Sequence, residues 1–252
     1  AVGLFALIQF VYYGALGATR QHPLQSIMVF DLGGISQFTG QNQFPVAWTA
    51  AEDTLVTAGC YRPTQWDIYW VHEPCRFVMK QLGEEKLFGT PAVTDAWRRA
   101  VMSHPGAYLR HRTAFMWNFL SAANFTMQTQ DIEDPSKMAI EDRPAFNALS
   151  LVHDALKLTP LFRAGPWLLV CMALCAFAWR RRCSAPGAFA IGVCGSAAIY
   201  MLTFLAVGVA SDFRYAYWAV LASIAGGIVI LPLTPASREP AVPSGIAAIR
   251  HP

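Results

Sequence analysis

A mainly α-helical integral membrane protein is the fold class this sequence predicts, on three observations. Hydrophobic residues make up 54% of the 252 and charged residues only 14%, where a soluble domain carries about 25% charged. Four apolar segments, roughly 2–18, 165–179, 187–210 and 215–233, stand apart from one long mixed region. The basic triplet Arg180, Arg181 and Arg182 sits in the turn between two of these segments, as expected of a cytoplasmic loop.

The first segment, "AVGLFALIQFVYYGALGA", gives a transmembrane helix over 1–18. It opens inside an apolar run without an initiator Met, so the chain reads as a fragment of a longer polytopic protein. A signal peptide is the rival reading, and the lack of a basic leading region argues against it. Region 19–164 then forms an extracytoplasmic domain, loop-rich but mostly helical. "HPLQSIMVFDLGGISQFTG" places Leu24, Ile27, Met28 and Leu32 at helical spacing. Pro23 suits the first turn, and Gly33–Gly34 should end or kink the helix. Residues 41–90 read as irregular, with Pro45, Pro63 and Pro74 among Trp48, Trp66 and Trp70. The run 90–122 predicts a pair of helices. Thr90 or Thr94 caps the first, and Pro105 stops it at His104, because a proline disfavours helix in the residue before it. The same Pro105 opens the second. "DIEDPSKMAIEDRP" is an acidic solvated loop, and 144–160 is one more amphipathic helix.

Three further spans fall within 165–233. Crossing roughly 30 Å of hydrocarbon takes about 20 helical residues, which the last two segments supply. The segment 165–179 is short, but Arg163 and the triplet can snorkel at its ends. With the triplet in the cytoplasm, "SDFRY" (211–215) lies on the outer face, the side of region 19–164. Residues 234–252 are Pro-rich and predict a disordered cytoplasmic tail. Between Arg20 and Arg163, 13 Lys/Arg face 14 Asp/Glu, so the orientation rests on the triplet.

The formal net charge of +3, with no basic run longer than that triplet, argues against a nucleic-acid partner. Membrane lipids are the partner the composition predicts. Cys60 and Cys75 share the outer region, where an oxidising compartment permits a disulfide; two unrelated buried thiols are the alternative. Closing such a loop contributes about 3 kcal/mol by chain-entropy reasoning. Cys171, Cys175, Cys183 and Cys194 lie in or beside apolar segments and read as small buried hydrophobes. "HEPC" at 72–75 packs three ligand types too tightly for a metal, and no second cluster has ligand spacing. No metal is expected and no cofactor is assigned.

Three stretches bear chemistry. In "HPGAYLRHRTAF", His111 lies between Arg110 and Arg112, a set that can hold a phosphate by charge and bidentate geometry. The plainer reading is an interfacial helix whose arginines meet lipid headgroups. Asp31 is a lone acid in an apolar setting, costly unless paired. It pairs with an arginine such as Arg110, caps a helix, or serves as a functional acid. In "SDFRY", Asp212 suits the cap of the fourth span, and Tyr215, Tyr217 and Trp218 suit interface depth. Arg214 reaches a lipid phosphate, Asp212 or an anionic ligand. Gly-rich phosphate loops, nucleophile elbows and zinc signatures are missing.

Taken together, "FDLGGIS", the loop-rich outer region, "HPGAYLRHR" and the late "SDFRYAYW" resemble the C-terminal part of bacterial polytopic membrane proteins related to GT-C-type glycosyltransferases. That clan includes protein mannosyltransferases and lipid A aminoarabinose transferases. The resemblance covers most of the chain through short motifs. It implies a bacterial inner-membrane location, a polyprenyl-phosphate sugar donor used on the outer face, and an envelope acceptor. It also implies a catalytic acid in an early outer loop upstream of this chain, so no catalytic residue is assigned, and Asp31 is not its evident equivalent. Arg110, Arg112 and Arg214 become candidate contacts to lipid phosphate or acceptor. Asp31, His111 and Asp212 complete the candidate substrate-binding set. The remainder of the full-length protein is then a partner. The alternative is a non-catalytic polytopic protein, a transporter part or an assembly partner in envelope polysaccharide export. Against transport, the last two apolar segments carry no charge inside them. A ligand sensor would need a cytoplasmic effector domain that the short tail does not supply.

Overall fold

The computed structural model describes residues 7–8, 10–18, 22–123 and 144–231. The expected acidic loop, apart from Pro144, and the expected tail 234–252 lie outside the described residues. So does much of the first apolar segment, of which Phe10–Ala15 forms a π-helical turn. Among the described residues the structure is mainly helical, with no strand and a single antiparallel bridge between Gln65 and Ala210. It divides into two compact units, Ala1–Gly165 with Leu202–Tyr215, and Pro166–Met201 with Ala216–Pro252.

The first unit is built on α1 (Pro23–Thr39), which buries every residue from Val29 to Ser36. Pro23 occupies its first turn. Gly33 and Gly34 do not end this helix, the first of the two outcomes the sequence left open. It runs on to Thr39 and closes at Gly40, whose φ of 67° suits glycine. The two glycines serve close packing instead. A Cβ on Gly33 would stand 1.9 Å from the Tyr69 hydroxyl, and one on Gly34 would stand 2.3 Å from the His111 ring. Each glycine costs about 1 kcal/mol of helix propensity against alanine, and the tertiary contact overrides that cost. Gly34→Ala is therefore expected to destabilise the first unit by about 1–3 kcal/mol through overpacking, read as a lower melting temperature in detergent.

Residues 41–90 are more ordered than their composition suggested. They hold α2 (Ala50–Thr54), which continues into a π turn over Leu55–Gly59, a 3-10 turn at Asp67–Tyr69, and α3 (Phe77–Glu84). A reciprocal cap starts α2: Thr49 Oγ1 accepts from the Glu52 N–H, and the Thr49 N–H donates to Glu52 Oε2. Cys60 and Cys75 form a disulfide, with both residues buried. With six cysteines in the chain and four free in the structure, denatured unreduced protein is expected to titrate four thiols, and six only after reduction. Six before reduction would contradict the bridge.

The helix pair forms as the prolines dictate. α4 (Pro91–Ser103) is capped by Thr90, whose Oγ1 accepts from the Ala92 N–H, and α5 (Pro105–Ser121) starts at Pro105. Both pack on α1. Gln25 ties α1 to the entry of α4: its amide donates to the Thr90 carbonyl and accepts from the Gly89 N–H, each at 2.7 Å. α6 (Pro144–Leu156) follows, with Leu149 and Leu151 exposed.

Three apolar helices supply most of the second unit: α7 (Ala164–Trp179) from Pro166 on, α8 (Ala185–Val207) as far as Met201, and α9 (Tyr217–Ile230). Two stretches, Ala185–Val207 and Phe213–Ile230, are long and apolar enough to cross a membrane, while α7 is shorter. Small residues face inward. Cys194 Sγ lies 3.3 Å from the Ala222 carbonyl, Cys171 Sγ lies 3.2 Å from Ser223 Oγ, and a Cβ on Gly226 would meet Cys194. Large residues face outward, among them Leu169, Ile199, Leu221 and Ile228. Of the four cysteines expected to be buried hydrophobes, Cys171 and Cys194 are buried and Cys175 is half-buried, but Cys183 is exposed. Cys183 belongs to the turn after Trp179, beyond the helix that would have covered it.

Candidate functional site

Asp31, His111 and Arg112 come together, but inside the first unit. Asp31 projects from the middle of α1 between α4 and α5. Its Oδ2 accepts the indole N–H of Trp97 at 2.7 Å. Its Oδ1 lies 2.7 Å from Arg112 Nη2 and 3.1 Å from His111 Nε2. An ionised Asp31 can only accept, so the Nε2 that faces it carries the proton of a neutral imidazole, and Nδ1 is left to accept from the Tyr61 hydroxyl at 2.9 Å. Burial holds that phenol well above its usual range. The side chains of Asp31, His111 and Arg112 are 0%, 0% and 2% exposed, so none of them presents to a ligand in solution.

Burial is the largest influence on His111 and lowers its proton affinity; the Arg112 charge acts the same way, while Asp31 opposes both. The unfolded histidine takes a proton below about pH 6.5, and the folded one resists it. The unfolded state therefore binds more protons as the pH falls, and stability is complete above about 6.5 and declines below it. The expected slope is up to about 1.4 kcal/mol per pH unit, down to the folded pKa. Unfolding at pH 7.5 and 5.5 reads it, and His111→Gln is expected to flatten it.

Arg110 does not join this group, correcting the expected pairing with Asp31. Two residues along a helix lie on nearly opposite faces, so burial of Arg112 turns Arg110 outward. Its guanidinium sits 4.6 Å above the Phe38 ring.

The buried group also positions a second feature. Arg112 Nη1 donates to the Gly208 carbonyl at 2.7 Å. Gly208 leaves no room for a side chain, since a Cβ there would stand 2.3 Å from Phe115. The extended residues that follow pair with the segment after Pro63: the Trp66 N–H donates to the Val209 carbonyl at 2.9 Å, and the Ser211 N–H to the Thr64 carbonyl at 2.7 Å. Between these segments lies a cavity of about 380 Å³, lined by Thr64, Gln65, Asp67, Ser211, Asp212 and Arg214. It falls within the size range of small-molecule sites.

Asp212 and Arg214 meet at its edge. Asp212 Oδ1 accepts the Arg214 N–H at 2.8 Å, and Oδ2 lies 3.0 Å from Arg214 Nε. Asp212 thus caps the 3-10 turn Phe213–Ala216 rather than the apolar helix, whose cap residue Ala216 makes no side-chain bond. The Arg214 guanidinium lies 5.4 Å from the Tyr215 ring, and its side chain is 64% exposed. An exposed ion pair is worth about 0–1 kcal/mol, so an anion could take the guanidinium from Asp212 at little cost.

Of the sequence-predicted residues, the structure thus joins Asp31, His111 and Arg112 in one buried group and Asp212 with Arg214 at a cavity. Thr64, Gln65 and Asp67 were missed. They reach the cavity through pairing with residues about 145 positions away, and no local pattern announces that. Among the described residues no cluster of His, Cys, Asp and Glu could hold a metal. No family model matches this chain, and no curated protein or solved structure matches it either.

Proposed function

We propose that this chain is part of a membrane-integral glycosyltransferase that moves a sugar from a polyprenyl-phosphate donor to an envelope acceptor outside the cytoplasm. The observation that carries the reading is the cavity beside Arg214, with an exposed guanidinium at its edge three residues before an apolar helix. A lipid-linked phosphate has its charge at that depth and its chain in the membrane. The outward apolar faces of α7, α8 and α9 support membrane integration, because burying them in lipid removes them from water. Their small inward residues support close helix packing there.

The chemistry would be an inverting displacement. A carboxylate takes the proton of the acceptor hydroxyl. The oxygen bonds to the anomeric carbon, and the bond from that carbon to the phosphate oxygen breaks. The leaving polyprenyl phosphate keeps the electron pair, and Arg214 stabilises the charge. The proton-accepting carboxylate is assigned to no residue of this chain. The alternative, a non-catalytic polytopic protein of envelope polysaccharide export, draws on the sequestration of Asp31 and His111, which removes them as an acid–base pair.

Two measurements test this. The full-length protein of which this chain is part, in proteoliposomes, is given a panel of radiolabelled polyprenyl-phosphate hexoses, and label moving to an envelope extract supports the reading. The sidedness follows from Cys183, exposed in the arginine turn. In spheroplasts it is expected to resist a membrane-impermeant maleimide until the membrane is permeabilised. Immediate labelling would invert the topology and place Arg214 on the cytoplasmic side.

A further inference from the structure

We infer that Trp66 and Trp70, the first a chain neighbour of the cavity residues Gln65 and Asp67, form a saccharide-binding platform that seats a pyranose ring of the acceptor; the acceptor role rests on the transferase reading, the saccharide binding does not. The two indoles lie parallel within 12° with centroids 6.0 Å apart. Trp70 is 55% exposed and Val71 54%, while Tyr69 just before them is fully buried. The turn Asp67–Tyr69 fixes this arrangement, since the Trp70 N–H donates to the Asp67 carbonyl and the Tyr69 N–H to the Trp66 carbonyl. The residues on either side of Trp66, Gln65 and Asp67, line the cavity. Gln65 Nε2 also lies 3.5 Å from His72 Nε2.

This is the pairing of surfaces that a sugar ring requires. One face of a pyranose carries only C–H groups, which are weakly positive and fit the negative face of an indole. Its rim carries hydroxyls, each both donor and acceptor. An amide such as Gln65 and a carboxylate such as Asp67 answer neighbouring hydroxyls with two groups each. A purely apolar ligand would use the tryptophans but leave the amide and carboxylate desolvated without partners. A small anion would be repelled by Asp67 and has Arg214 instead.

The test uses the full chain in detergent with methyl glucoside, methyl mannoside, methyl galactoside and N-acetylglucosamine as probes, read by saturation-transfer NMR. At least one is expected to bind saturably, with transfer to its C–H protons. Trp70→Ala, at an exposed position that does not hold the fold, is expected to weaken that binding about tenfold or more; Trp70→Phe is expected to retain part of it. Inorganic phosphate at saturation is expected not to displace the sugar. No binding by any of the four, or binding by Trp70→Ala equal to wild type, overturns the platform. A Trp70→Ala variant that loses affinity only for phosphatidylglycerol vesicles would make the pair a membrane anchor and overturn it too. Saccharide binding by the chain, with no sugar transfer by the full-length protein of which it is part, supports the platform and overturns the transferase reading alone.

Discussion

Asp31→Ala is expected to leave the first unit about 3–5 kcal/mol less stable, the cost of stranding a buried charge whose partner is removed. The truncation leaves Arg112 almost fully buried with the Gly208 carbonyl as its remaining short contact. It also strands the Trp97 indole N–H and His111 Nε2, whose contacts both end on Asp31. Such a loss is a large part of the 5–15 kcal/mol that holds an ordinary domain together. Asp31→Asn keeps the volume and one acceptor, so it is expected to cost less. Asp31→Ala with Arg112→Met is expected to cost less than the sum of the two, because the double change removes the stranded charge. Thermal unfolding followed by intrinsic fluorescence reads all three. Additive costs, or a change under about 1 kcal/mol for Asp31→Ala, would show that the group does not act as one buried unit.

Arg214→Ala is expected to do the reverse: leave stability unchanged and remove function. Its contacts are an exposed pair with Asp212 and the neighbouring Tyr215 ring, so little stability is lost. If it stabilises a leaving phosphate, its loss is expected to lower transfer by roughly 100- to 1000-fold, the scale of one removed transition-state donor. Arg214→Lys keeps the charge but not the planar fork, and an intermediate rate is expected. A comparison of transfer rates at matched protein, with melting temperature as the folding control, separates these outcomes.

Much of this architecture could be read from the residues in order. Pro23 and Pro105 placed the starts of two helices, and Thr90, one of two candidate caps with Thr94, that of a third, because each acts through its own backbone and nearest neighbours. The long apolar runs gave α8 and α9 on length and composition. The Thr49–Glu52 box was equally local and announces α2, yet the surrounding prolines and tryptophans hid it. That Gly33 and Gly34 would not end the helix was hidden for the opposite reason. Their role depends on Tyr69 and His111, which arrive from other parts of the chain. The same limit governed the candidate site. Asp31 as an acid needing a partner was evident from its apolar neighbours, but choosing Arg112 over Arg110 required knowing which face of α5 meets α1. Asp212 and Arg214 were visible as an outlier in an apolar tail, while Gln65 and Asp67, which complete their cavity, were not.

The arginines divide in their settings: Arg112 is buried against Asp31 and the Gly208 carbonyl, Arg110 lies over the Phe38 ring, and Arg214 is the one we propose meets a lipid phosphate. The most direct measurement is titration of a short-chain polyprenyl phosphate into the purified protein, with Arg110→Ala and Arg214→Ala in parallel. Saturable binding is expected for wild type and for Arg110→Ala, and its loss for Arg214→Ala at an unchanged melting temperature. Binding by Arg214→Ala equal to wild type, or binding lost in Arg110→Ala instead, would contradict this proposal.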